Sequence, residues 1–298
     1  MRVVVCGAIH HDLVVRASRM PRLDETLAGQ SVACSFGGKG GNQAVAAARM
    51  GADVAMIGRI GTDPAASGLR AALAAAGVDH LGVLAVEGPS GMSVAILLPD
   101  GGYGAIIVSG PNRGMVPDDL VLPDGPMILL LQNEIPQHVS LAAARRARSA
   151  GGMVIFNAAP AGPIDPELLV LVDLLIVNRL EAEDLCGAPA TPEALAKGLI
   201  ARGAPSGIVT LGGAGLCLWD PASMVRQAAF PATVLSTHGA GDMLVGALAA
   251  ALGRGMALID AATFAQAAAS LHVAAAPEAR ALTDRAAVER LIAAHLTG

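Results

Sequence analysis

Short, near-continuous apolar runs alternate with longer Ala/Leu/Arg stretches, and this alternation limits the possible folds of the chain more than any other feature. RVVVCGAI, ADVAMIGRIG, MILLLQNE, GMVIFNAAP, DLLIVNRLE and SGIVTLGG are each bounded by glycine or polar residues, the pattern of strands buried on both faces. Between them, GLRAALAAAG, VSLAAARRARSAG and TPEALAKGLIARG carry apolar residues at helical spacing. That rhythm predicts an α/β fold, a doubly wound and mostly parallel sheet with helices on both faces. The 298 residues suit a single domain of this kind. Two stretches break the rhythm, DLVVRASRMPRLDETLAGQSVACSFGG and GMSVAILLPDGGYGAIIVSG, and Asp100-Gly101-Gly102 in the second is a hairpin signal. They predict a small antiparallel β-sheet projecting from the main body, over roughly residues 12–36 and 90–110.

Composition narrows the function classes. Mean hydropathy is +0.56, yet polar residues interrupt every apolar run before the roughly 18 residues that a membrane-spanning helix needs. The excess comes mostly from alanine, which suits closely packed helices. A net charge of -5 with 2% aromatic residues offers neither the basic surface nor the stacking platforms of a nucleic-acid binder. Cys6, Cys34, Cys186 and Cys217 have neither zinc-site spacing nor the density of a disulfide scaffold. No basic segment leads into an apolar core and cleavage site, so a cytoplasmic enzyme or binding protein is expected.

Four stretches carry chemistry. In STHGAGDMLVGALAA, glycines precede an apolar helix pattern and leave backbone N–H groups uncovered at the positive end of the helix dipole. Gly239 and Gly241 leave room for a phosphate to approach, and Asp242 stands in or near the first turn, where a carboxylate serves either as helix cap or as a group facing the anion. FGGKGGNQAVAAARMG is a second glycine turn feeding a helix, with Lys39 and Asn42 as polar groups suited to a polyhydroxylated ligand. It is not a phosphate-binding loop of the GxxxxGK[ST] type, and the first strand lacks GxGxxG, which argues against a dinucleotide dehydrogenase. In VNRLEAEDLCG, Asn178 and Glu181 stand three apart at a strand-to-helix junction and could hold a hydrated divalent cation. Glu183 and Asp184 read as ordinary acidic residues of a helix start. IVTLGGAGLCLW is a strand ending at Thr210 followed by Gly212, Gly213 and Gly215, either a ligand loop or a tight turn.

Taken together and in this order, GGKGGNQA, LLLQNE, FNAAPA, NRLE, VTLGGAG and HGAGD resemble the ribokinase-like (PfkB-type) carbohydrate kinases nearly end to end. The resemblance implies an ATP-dependent sugar kinase in which Asp242 accepts the proton of a sugar hydroxyl as it attacks the γ-phosphate. Gly239, Ala240 and Gly241 would form the anion hole. His10, Asp12, Gly38, Lys39, Asn42 and Glu134 would bind the sugar. Asn178, Thr210, Gly212, Gly215 and Gln266 would bind the nucleotide, and Glu181 would organise Mg²⁺ through water. The projecting strands resemble a lid that closes over the sugar and pairs with a second subunit's lid as a homodimer. A nucleoside kinase of the same fold and a non-catalytic sugar sensor are the alternatives, and a sensor has no need of Asp242.

Three departures stand out. His10 occupies a position usually held by asparagine, bringing in a bulkier group that titrates near neutrality, while the neighbouring His11 points to the opposite face as a structural or solvated residue. Ser236-Thr237-His238 replaces the usual Asp-Thr-Thr, and AAAPEARAL replaces Gly-Ala-x-x-Ser, two segments that in the family contribute to a monovalent cation site. Losing the carboxylate predicts weak or absent K⁺ activation, with His238 supplying some positive charge in its place.

Overall fold

The computed structural model describes residues 1–99 and 102–297. In chain order the strands are β1 (Arg2–Cys6), β2 (His10–Arg16), β3 (Ser31–Gly37), β4 (Val54–Ile60), β5 (Asp79–Ala85), β6 (Gly91–Leu97), β7 (Tyr103–Val108), β8 (Met127–Gln132), β9 (Met153–Asn157), β10 (Leu174–Asn178), β11 (Gly207–Thr210), β12 (Leu216–Trp219) and β13 (Met224–Gln227). The helices are α1 (Lys39–Arg49), α2 (Ala65–Ala75), α3 (Gln137–Ser149), α4 (Pro166–Leu171), α5 (Arg179–Cys186), α6 (Pro192–Ala201), α7 (Ala240–Gly253), α8 (Leu258–Ala274) and α9 (Arg285–Thr297).

The main sheet runs β13-β12-β11-β10-β9-β8-β1-β4-β5. It is parallel from β11 through β5, as the apolar runs predict. β12 and β13 add an antiparallel edge. Those two strands and β5 go beyond the six runs singled out from sequence: β13 (MVRQ) and β5 (DHLGVLA) are edge strands broken by polar residues or glycine, and β12 (LCLW) is short and follows directly on the glycine loop. Alternation within β1 shows how both faces are covered: Val3 and Val5 belong to the core beneath α1, α2, α7 and α8, while Val4 and Cys6 belong to the core beneath α3, α4, α5 and α6. Burial pushes the Cys6 thiol up to about 12, so it behaves as a small hydrophobe.

The second sheet has the order β3-β2-β6-β7 and is built from the two stretches that break the α/β rhythm. β2 pairs antiparallel with β3 but parallel with β6, so the sheet is mixed rather than purely antiparallel. The expected β6–β7 hairpin is present, with Leu98 N donating to Gly102 O at 2.8 Å, while Asp100 and Gly101 lie outside the described residues. Val32, Ile106 and Val108 are exposed on this sheet. No helix among the described residues is long and apolar enough to cross a membrane.

Candidate active site

The polar residues ending the parallel strands sit side by side. Gln132 pairs in register with Asn157 across β8 and β9, and Asn178 with Thr210 across β10 and β11. The carboxyl edge of a parallel sheet is where such folds bind ligands, because the loops there splay apart and helix N-termini point into the crevice. Both glycine turns open at this edge.

The first turn packs against the end of β1. Gly38 holds φ at +83°, and a Cβ there would lie 2.6 Å from Ala8 O, so only glycine fits. α1 then starts at Lys39, and Lys39 N donates to Glu134 Oε2 at 2.8 Å. A carboxylate at a helix N-terminus completes an orphan donor and meets the positive dipole end. Burial nonetheless dominates and pushes the Glu134 carboxyl up to about 7, with Lys39 opposing and Asp242 and Asp12 reinforcing.

The second turn leads into α7. Gly239 is the N-cap, at φ +77°, with no side-chain cap, and a Cβ on Gly241 would meet nothing within 4 Å. Asp242 therefore does not cap its own helix. Its carboxylate turns across to α1, where Asn42 Nδ2 donates to Oδ2 at 3.3 Å and Gln43 Nε2 donates to Oδ1 at 2.9 Å. Gly246, one turn further along α7, permits the approach: a Cβ there would lie 2.6 Å from Ala46 Cβ. Asp242 and the lysine-bearing turn thus form one cluster although they lie some 200 residues apart.

Gln43, Gln132 and Asn157 are site residues that sequence reasoning missed. Gln43 is fully buried, accepts from Gln132 Nε2 at 2.8 Å, and shares its own Nε2 between Asp242 and Asn157 Oδ1 at 3.0 Å. A signal was available, since Lys39, Asn42 and Gln43 share a face at i, i+3 and i+4, and Gln132 and Asn157 are polar ends of apolar runs. Asn112 was also missed. It is buried in the loop after β7 and clamps Ile9, accepting from Ile9 N at 3.1 Å and donating to Ile9 O at 3.0 Å.

Electrostatics draws the remaining predicted residues into the same neighbourhood. Burial raises Asp12, opposed by His238 and His11 and reinforced by Asp242. Burial raises Glu181, with Lys39 opposing and Asp242 reinforcing. His10 departs from expectation: burial, with the Lys39 charge, lowers it to about 4, so the ring is neutral at pH 7 rather than titrating there. Its Nε2 is buried with no hydrogen-bond partner among the described residues.

At the ends of β10 and β11, Asn178 and Glu181 form a reciprocal capping box at the start of α5: Glu181 N donates to Asn178 Oδ1 at 2.9 Å and Asn178 N to Glu181 Oε2 at 2.8 Å. That arrangement orders both side chains and leaves Glu181 Oε1 outside the box. Gly212 and Gly213 follow Thr210, and a Cβ on either would meet nothing within 4 Å. Gly215 is constrained differently, holding φ at +88° where its loop turns back beside Gln227. Gln266 Nε2 donates to Gln227 Oε1 at 3.0 Å, so Gln266 is tied to the edge strand beside that loop. No cluster of three or more His, Cys, Asp or Glu that could cage an ion occurs among the described residues. The donors present fit a hydrated Mg²⁺, which keeps most of its waters and needs only one or two carboxylates.

The pfkB family carbohydrate kinase model matches residues 1–282. A ribokinase from Lactococcus lactis is 32% identical over 278 residues, covering 91% of this chain and 90% of its own. The structure of Arabidopsis thaliana ribokinase complexed with ribose and ATP superposes with a TM-score of 0.87 at 30% identity, over 98% of each chain. Aminoimidazole riboside kinase from Salmonella enterica, complexed with its riboside and an ATP analogue, gives 0.81 at 25% identity, over 98% of this chain and 100% of its own. The chain belongs to the pfkB family of carbohydrate kinases, phosphotransferases with a hydroxyl acceptor.

Proposed function

We propose that the protein is an ATP-dependent kinase that phosphorylates ribose, transferring the γ-phosphate to a sugar hydroxyl. The observation that carries the proposal is the seating of Asp242, held by Asn42 and Gln43 beside the lysine-bearing turn and at the opening of an uncapped helix. Asp242 takes the hydroxyl proton. The N–H groups of Gly239 and Gly241, at the positive end of α7, take up charge developing on the transferred phosphoryl group, whereas the N–H of Ala240, expected to join them, donates to Thr237 O at 3.1 Å. Asp12 and Glu134 accept from sugar hydroxyls and Lys39 and Asn42 donate to them, with Gly38 keeping the turn close to β1. His10, neutral and with its Nε2 unpartnered among the described residues, adds one further hydrogen-bonding group to the sugar pocket.

Thr210, Gly212, Gly215 and Gln266 line the nucleotide. Asn178 and Glu181 would hold Mg²⁺ through water, and the ion, when bound, neutralises phosphate charge. The second sheet acts as a lid that keeps water from the phosphoryl group. Its exposed Val32, Ile106 and Val108 are covered by the lid of a second copy in a homodimer. Sedimentation of the purified protein reads that state directly.

The test of function is a coupled ADP-release assay with ribose, other pentoses, hexoses, sugar phosphates and nucleosides. Ribose as the acceptor with the highest kcat/KM supports the proposal. Preference for a nucleoside assigns the pocket to a base-bearing acceptor, and ligand binding without turnover of any compound leaves a sensor.

A further inference from the structure

The loop entering α7 is fastened from one side by a single cation. Arg280 Nη1 donates to His238 O at 3.1 Å and Arg280 Nη2 donates to Ser236 O at 3.3 Å. His272 Nε2 meets the same His238 carbonyl at 2.9 Å, and burial lowers His272, so its neutral ring donates there. Leu235 N donates to Val273 O at 2.8 Å, tying the start of the loop to α8. The three residues spanned by Arg280 run directly into Gly239, Ala240, Gly241 and Asp242. Arg280 itself comes from PEARAL, the short turn after α8, and its own carbonyl accepts from Arg49 Nη1 of α1 at 3.4 Å.

Two main-chain carbonyls converging on one positive group is the arrangement that a partly dehydrated monovalent ion makes. Here a guanidinium makes it, with a planar fork and a charge that is never lost at physiological pH. The sequence expectation gave that role to His238, but what His238 presents to this contact is its carbonyl, and the cation is Arg280.

We propose that Arg280 is a positioning residue acting as a built-in cation: it holds the Ser236–His238 carbonyls so that the N–H groups opening α7 and the Asp242 carboxylate face the transferred phosphoryl group. The residue touches neither the sugar nor the phosphate. It orders the turn and adds fixed positive potential behind an anion cradle, where preorganised charge lowers the barrier without reorganisation. Turnover consequently needs no K⁺.

The turnover readouts rest on the kinase function proposed above; the melting readout does not. Wild type, Arg280→Met and Arg280→Lys are compared in buffers whose only monovalent cation is tetramethylammonium, Na⁺ or K⁺, with Mg²⁺ constant. Wild-type kcat is expected to change less than about twofold among the three, because the guanidinium already neutralises the carbonyls. Arg280→Met is expected to lose about 10²-fold in kcat in tetramethylammonium with a smaller change in sugar KM, the size of one lost electrostatic positioning group. K⁺, small enough to enter the vacated site, is expected to restore about tenfold or more of that loss and to raise the melting temperature of Arg280→Met alone. Arg280→Lys, with one compact ammonium in place of a fork, is expected to fall between the two.

Strong K⁺ stimulation of wild type overturns the proposal and needs no variant. So does an Arg280→Met enzyme that turns over like wild type in tetramethylammonium. A variant whose activity and melting temperature fall together, with no small cation restoring either, makes Arg280 a structural brace and also overturns it. Should no acceptor in the panel be turned over, the kinase proposal fails separately, while the cation dependence of melting still reports on Arg280.

Discussion

Gln43 Nε2 of α1 donates to Asp242 Oδ1 of α7 at 2.9 Å across 199 positions of sequence, and Gln43 is itself locked by Gln132 and Asn157. The carboxylate is thereby aimed by an amide whose other bonds are satisfied, a networked arrangement that fixes orientation better than any single pair. Gln43→Leu keeps the apolar stem but strands the donor of Gln132 and releases Asp242. Its kcat is expected to fall about 10- to 100-fold with little change in sugar KM, as for a misplaced reacting group. Urea unfolding is expected to show a loss of about 1–3 kcal/mol, the cost of buried polar groups left unpaired. Unchanged kinetics would remove Gln43 from the positioning role.

Asp242→Asn is nearly isosteric and keeps the oxygen that accepts from Gln43. Melting temperature and nucleotide affinity should stay close to wild type, while turnover falls by about 10²- to 10⁴-fold, the range of general-base assistance. Steady-state kinetics beside calorimetric binding separate the two effects. Near-normal kcat would take the base assignment away from this residue.

Glu134 gives a pH signature with a definite sign. Its folded value is raised from 4.5 to about 7, so the folded state holds a proton that the unfolded state has released in that window. Its contribution is therefore full below pH 4.5 and lost as pH rises through about 7. The stability difference between wild type and Glu134→Gln should fall across that interval by about 3 kcal/mol, at about 1.4 kcal/mol per pH unit. His10 acts with the opposite sign, since its lowered value favours the folded state above 6.5 and loses that contribution as pH falls through about 4. Being present in both proteins, it cancels in the difference. A flat difference across the window contradicts a buried, protonated Glu134.

Gly246→Ala sets helix propensity against packing. Alanine gains about 1 kcal/mol over glycine in a helix interior. The added methyl, however, would lie 2.6 Å from Ala46 Cβ, and overpacking of that kind costs about 1–3 kcal/mol. Separation of α7 from α1 is expected to win, lowering the unfolding midpoint and reducing kcat because Asp242 moves away from Gln43. A stabilised and fully active Gly246→Ala would show that the helices accommodate the methyl.

Much of the architecture was legible because it depends on local pattern. Continuous apolar runs mark strands that are covered on both faces, and the two stretches lacking helices between their strands became the second sheet. The antiparallel edge of β12 and β13 was not legible, since MVRQ in β13 carries too few apolar residues to mark a strand and LCLW in β12 follows the glycine loop with no signal of its pairing direction. Asn178 and Glu181 were legible as a pair, but only coordinates show them bonded to each other's backbone.

By itself the sequence determined the alternation of six buried strands with helices, the two glycine turns with their open backbone, and the acidic, cationic and amide groups available for phosphoryl transfer. Tertiary structure alone decided which groups meet: Gln43 with Asp242, Asn112 with Ile9, and Arg280 with the carbonyls of Ser236 and His238. It also decided that His10 is neutral, because burial and the nearness of Lys39 are properties of the packed molecule. The physical reason is range. Hydrophobic period and backbone conformation act over a few neighbouring residues, whereas hydrogen bonds and charge act through space between segments that only packing brings together.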